Sequence, residues 1–142
     1  MAAKTIKDFL LDNPIEGMEL TIKMLLKRAG VEQEAEFKLG MMQGEDLARY
    51  QKKATPPAKK GSTAVQMPSS SKLNELIIIN HCLEPDFSDA AWIEKAGCRT
   101  PEELLYKVLK PGEITSLASE IFEFSGLGSD IVLEQREEIK NS

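Results

Sequence analysis

Apolar residues change their spacing along this chain, and each change marks a different kind of element. Thr5-Ile-Lys-Asp-Phe-Leu-Leu11 is a short amphipathic start that Thr5 can cap and that ends before Asn13-Pro14. It reads as one or two helical turns laid on the core. After Gly17 the period drops to two. Met18, Leu20, Ile22, Met24 and Leu26 alternate with Glu19, Thr21 and Lys23, and Ala35, Phe37, Leu39 and Met41 alternate with Glu34, Glu36 and Lys38. Lys27–Gln33, with Gly30 inside it, supplies the turn. The pattern predicts a β-hairpin with one apolar and one charged face. The rival is a helix through Met18–Arg28, because Leu, Met and Lys are good helix formers. A lone hairpin is marginal in water, so its apolar face must pack on helices or on another copy of the chain.

Gly44-Glu-Asp-Leu-Ala-Arg-Tyr-Gln-Lys-Lys53 reads as a helix, with acid at its start and lysine at its end to complement the dipole. From Ala54 to Ser71 the chain turns rich in Pro, Ser and small residues and loses its periodicity, which predicts a mobile loop. Residues 73–126 then carry an unbroken series of helix starts and stops. Leu73, Leu76, Ile77 and Leu83 lie near helical spacing, with Pro85 as the stop. The run Ile77-Ile78-Ile79 also suits a buried strand. Ser88 can cap a short helix through Ala91, Trp92, Ile93 and Ala96, ended by Gly97. Thr100-Pro101-Glu102-Glu103 has the form of a capping box with proline at the first helical position. After Lys110-Pro111-Gly112-Glu113, the residues Ile114, Leu117, Ala118, Ile121 and Phe122 repeat at i, i+3, i+4, i+7 and i+8 before Gly126. The expected fold is α+β, mainly α, with an N-terminal β-hairpin packed with a C-terminal cluster of short helices. Residues 1–126 are expected to form one domain, and 127–142 a flexible polar tail with one apolar patch.

The pattern Asn74-Glu75-Leu76, Asn80 and Cys82-Leu-Glu-Pro-Asp-Phe87, followed by Gly97, Arg99-Thr-Pro-Glu-Glu-Leu-Leu105 and Leu109-Lys-Pro-Gly-Glu113, closely resembles the XkdN-like tail assembly chaperones of long-tailed phages and defective prophages. The order of elements agrees over most of residues 5–126, and the motifs are specific in 74–126. The resemblance implies a non-enzymatic chaperone that acts in the host cytoplasm during tail morphogenesis and is absent from the mature virion. It would bind the tape measure protein and help to recruit tail tube protein around it. Such a role asks for a soluble acidic module that forms a homo-oligomer and covers apolar helices of a client. The contact candidates are the apolar side of the hairpin, at Ile22, Met24, Phe37 and Leu39, and the tail patch Ile131, Val132 and Leu133. A structural tail or baseplate component is the alternative.

Composition narrows the remaining classes. A chain of 142 residues with 42% hydrophobic side chains has the makings of a packed core. Residues 1–53 carry nine basic and nine acidic groups, whereas 71–142 carry seven basic against fourteen acidic. No basic stripe exists to neutralise phosphates, so nucleic acid is not an expected partner. No signal sequence or apolar run of spanning length is present, so a cytoplasmic protein without membrane contact is expected. His81 is the one histidine, Cys82 and Cys98 are the two cysteines, and neighbours on a helix point about 100° apart. That spacing keeps His81 and Cys82 from acting as a base and nucleophile. Without a second histidine or a Cys-x-x-Cys pair, zinc lacks ligands. The phosphate-loop and serine-nucleophile patterns are missing too. No cofactor, metal or active site is expected.

Overall fold

The computed structural model describes residues 5–57, 61 and 67–127. In chain order the elements are α1 (Ile6–Asp12), β1 (Glu19–Arg28), β2 (Val31–Gly40), α2 (Asp46–Ala54), α3 (Ser70–His81), β3 (Cys82–Glu84), α4 (Ala90–Lys95), α5 (Pro101–Val108) and α6 (Pro111–Phe124). The class is α+β, mainly α, as the patterning predicts, and the alternating stretch is a hairpin rather than a helix. β1 and β2 pair antiparallel from Glu19 opposite Gly40 to Arg28 opposite Val31. The turn is shorter than the sequence suggested. It consists of Ala29-Gly30 alone, and only Gly30 takes a positive φ, 83°. The charged residues assigned to the turn extend the ladder instead. Lys27 faces Glu32 at 4.0 Å, and further down Lys23 reaches diagonally to Glu34 at 3.4 Å, on the solvent side of the sheet.

A third strand was not legible in the sequence. The helix expected to run through Leu83 ends at His81, and Cys82–Glu84 crosses to pair with β2, Leu39 opposite Cys82 and Lys38 opposite Glu84. The sheet order is therefore β1-β2-β3, with β2 central. The free edge of β2 offers backbone partners, and tertiary pairing overrides the local helical spacing of Leu83.

The helices follow their caps. Ser69 Oγ accepts from Lys72 N at 3.3 Å, so α3 takes in Ser70 and Ser71, which composition assigned to the loop. Ser69 N also donates to Ala54 O at 2.9 Å and closes the base of that loop; its residues 58–60 and 62–66, expected to be mobile, lie outside the described residues. Asp89 rather than Ser88 caps α4, its Oδ1 accepting from Ala91 N at 3.0 Å, while Ser88 N donates to Asp86 Oδ1 at 2.9 Å in a side-chain turn just before it. At α5 the threonine cap forms as expected, Thr100 Oγ1 accepting from Glu103 N at 3.1 Å. Glu103 reaches one residue further back, to Arg99 N at 2.7 Å. Lysine offers no acceptor, so at α6 only the return half of the box exists, from Lys110 N to Glu113 Oε1 at 2.8 Å.

One continuous apolar cluster joins these elements. Phe37 and Leu39 of β2, Tyr50 of α2, Ile77 and Ile78 of α3, Leu104 and Leu105 of α5, and Leu117 and Ile121 of α6 are all buried in it. Phe87 sits among them with Trp92 tilted against it, ring centroids 5.3 Å apart. The hairpin and the helices therefore share a core. The amphipathic start does not join it. Thr5 caps α1 as expected, but α1 has no buried residue.

Candidate protein-binding surface

The sheet is tied to the helices at both ends of the hairpin. At the turn end, Arg28 Nη1 and Nη2 donate to Glu113 Oε2 and Oε1 at 2.9 and 2.7 Å, and Nη2 also reaches Val108 O at 2.9 Å. One guanidinium thus clamps the junction of α5 and α6. The hydrogen bonds from Arg28 hold the Glu113 carboxyl below the usual carboxylate range despite partial burial, and the guanidinium is shifted up in return. At the other end Met42 N donates to Ser125 Oγ at 2.9 Å, whose hydroxyl donates to Ile121 O at 2.7 Å. A third polar link lies within the helical layer. Tyr106 donates to the buried Glu75 carboxylate at 2.9 Å, and burial together with that carboxylate pushes the phenol up to about 12.

These ties decide which side of the hairpin is available. Phe37 and Leu39, expected as partner contacts, are 3% and 0% exposed, because both pack into the apolar cluster shared with the helices. They serve the chain's own core. Ile22, opposite Phe37, and Met24, opposite Ala35, lie on the edge strand and are half-buried against that core. They remain reachable from the open side of β1. The tail patch Ile131, Val132 and Leu133 lies outside the described residues.

Among the described residues, α1, expected to lie on the core, instead presents apolar side chains to solvent. Ile6, Phe9, Leu10 and Leu11 are 54–79% exposed. Ile6, Phe9 and Leu10 fall at i, i+3 and i+4, so they share one face of α1. Asn13 stops the helix by returning its side-chain amide to Phe9 O at 2.9 Å. Three residues beyond α1, Ile15 lines an open groove of about 380 Å³ with Met41, Met42, Leu47, Phe124 and Leu127. The signal for this surface was present in the sequence. Four of the seven residues of α1 are large and apolar, too many for one helical stripe of that length to hide.

Among the described titratable groups, those between α2 and α3 contact one another. His81 Nε2 lies 2.7 Å from the Tyr50 hydroxyl and 3.8 Å from Asp46 Oδ2, between α3 and α2. Burial lowers the imidazole from its ordinary value, with Asp46 opposing the shift and Arg49 adding to it. Cys82 points elsewhere, its thiol 3.3 Å from Pro85 O, and burial pushes it up to about 12. The imidazole and the thiol therefore engage different partners. Among the described residues no three His, Cys, Asp or Glu side chains converge as a metal site, and no helix is long and apolar enough to cross a membrane.

No curated protein and no solved structure matches this chain. A family model does, that of the phage XkdN-like tail assembly chaperone proteins, over residues 6–140. The match begins at the first residue of α1 and runs through the hairpin and every helix, so the exposed apolar start lies within what it recognises. The chain belongs to the XkdN-like family of phage tail assembly chaperones.

Proposed function

We propose that this protein is a non-enzymatic chaperone that binds the tape measure protein, brings tail tube protein to it, works in the host cytoplasm and leaves before the virion is complete. In this reading residues 1–126 act as one unit. The observation that carries it is the solvent-facing apolar side of α1 in a chain of this family. A small fold that buries the stripe of α6 but leaves Phe9 and Leu10 in water keeps an adhesive surface for another polypeptide. Ile6, Phe9 and Leu10 form a short ridge, and Ile15 continues it into the groove beside Leu47 and Leu127. Ridge and groove together suit the apolar stripe of an amphipathic client helix.

The test is co-expression with the tape measure protein. Phe9→Asp with Leu10→Asp places two charges on the ridge, and the client is then expected to be lost from the purified complex while the variant keeps its circular dichroism spectrum. Full recovery of client by the folded variant would remove α1 from the account. Mass spectrometry of finished particles addresses the second half, and stoichiometric retention of the chain there would make it a structural component instead.

A further inference from the structure

β1 is the edge of the sheet, with β2 as its only strand neighbour among the described residues. Alternate amides and carbonyls along it therefore face no strand. Its pairing with β2 runs from Glu19 to Arg28 without a register shift, and no proline interrupts it. Bulges, prolines and short length are the usual devices that keep such an edge from pairing, and none is present here. The lysines that remain as guards are already answered within the hairpin, Lys23 by Glu34 at 3.4 Å and Lys27 by Glu32 at 4.0 Å.

The geometry points to a second copy of this chain as the occupant of that edge, paired antiparallel with β1 about a two-fold axis at Lys23. In antiparallel pairing opposite side chains lie on the same face, so only registers that match odd with odd positions keep the apolar face continuous. Centring on Lys23 sets Glu19 opposite Lys27 of the second copy, twice by symmetry. It also sets Leu20 opposite Leu26 and Ile22 opposite Met24, completing the cover of residues that a single chain leaves half-buried. On the other face Thr21 meets Leu25, an apolar side chain 53% exposed in an otherwise polar row. The cost is Lys23 opposite itself, which Glu34 of each hairpin offsets. Moving the centre by one residue sets Thr21 against Lys27 and Lys23 against Leu25, and loses the acid–base match. The result is a six-stranded sheet in which each copy keeps its own helical layer.

The experiment uses the full chain alone, so its outcome is separate from client binding. Sedimentation should show a concentration-dependent dimer. Lys27→Glu, which sets acid against Glu19 of the other copy, should weaken it tenfold or more, and adding Glu19→Lys should restore it. In a Cys98→Ser background, Lys23→Cys should cross-link under mild oxidation, because residues opposite each other at the axis lie within disulfide reach. Leu25→Cys, offset from its own copy, should not. A chain that stays monomeric at every concentration overturns the inference. So does a dimer that Lys23→Cys fails to trap, or that Lys27→Glu leaves intact in a folded variant.

Discussion

α6 and α1 begin from similar instructions and end in opposite places. Each has a start signal, an apolar set at i, i+3 and i+4, and a defined stop. In α6 the residues Ile114, Leu117, Ala118 and Ile121 are buried in the core, with α3 packed against the helix, whereas in α1 every apolar residue faces solvent. Length separates them first. α6 has fourteen residues and α1 seven, so α1 forms little more than its own capped turns and depends on whatever it packs against. Anchoring separates them next, because α6 is fixed by Glu113 to Arg28 at one end and by Ser125 to Met42 at the other. An apolar stripe states that a face needs cover. It does not state whether the cover comes from the same chain.

Mutations on the two helices should therefore behave differently. Leu117 is fully buried, and Leu117→Ala should destabilise the chain by about 2–5 kcal/mol in denaturant unfolding. A smaller effect is expected between α2 and α3. The folded-state pKa of His81 lies below its ordinary 6.5, so its contribution is complete above that value and is lost as pH falls through the lowered folded one. Melting temperature should decline through this window, and His81→Asn should flatten the decline. Glu113, also shifted down, acts only at more acid pH, below the ordinary carboxylate value. The smallest effect belongs to α1, where Phe9→Ala should move stability by no more than about 0.5 kcal/mol. A loss at Phe9 comparable with that at Leu117 would erase the distinction between the helices.

Much of this was written in the local sequence. The alternation from Met18 to Met41 gave the hairpin, and Thr100, Pro101 and Gly97 gave the boundaries around α5 because caps act within one turn. What failed depended on distance. Cys82–Glu84 reads as the end of a helix until β2 supplies an edge for it, and nothing near Arg28 announces a carboxylate 85 residues away. The burial of Phe37 and Leu39 likewise depends on distant residues, because they pack into the cluster formed by the helices, with Cys82 of β3 opposite Leu39. For the binding surface the sequence showed an apolar hairpin face but not which of its two strands would be covered. It also assigned α1 to the core because amphipathic helices usually go there.

The most direct test of the difference between α1 and α6 is hydrogen exchange on the chain alone and in complex with the tape measure protein. The amides of α6 should be slow in both states, and those of Ile6–Asp12 should be fast in the free chain and slow in the complex. If a complex forms while Ile6–Asp12 exchange as fast as before, α1 is not where the client is held.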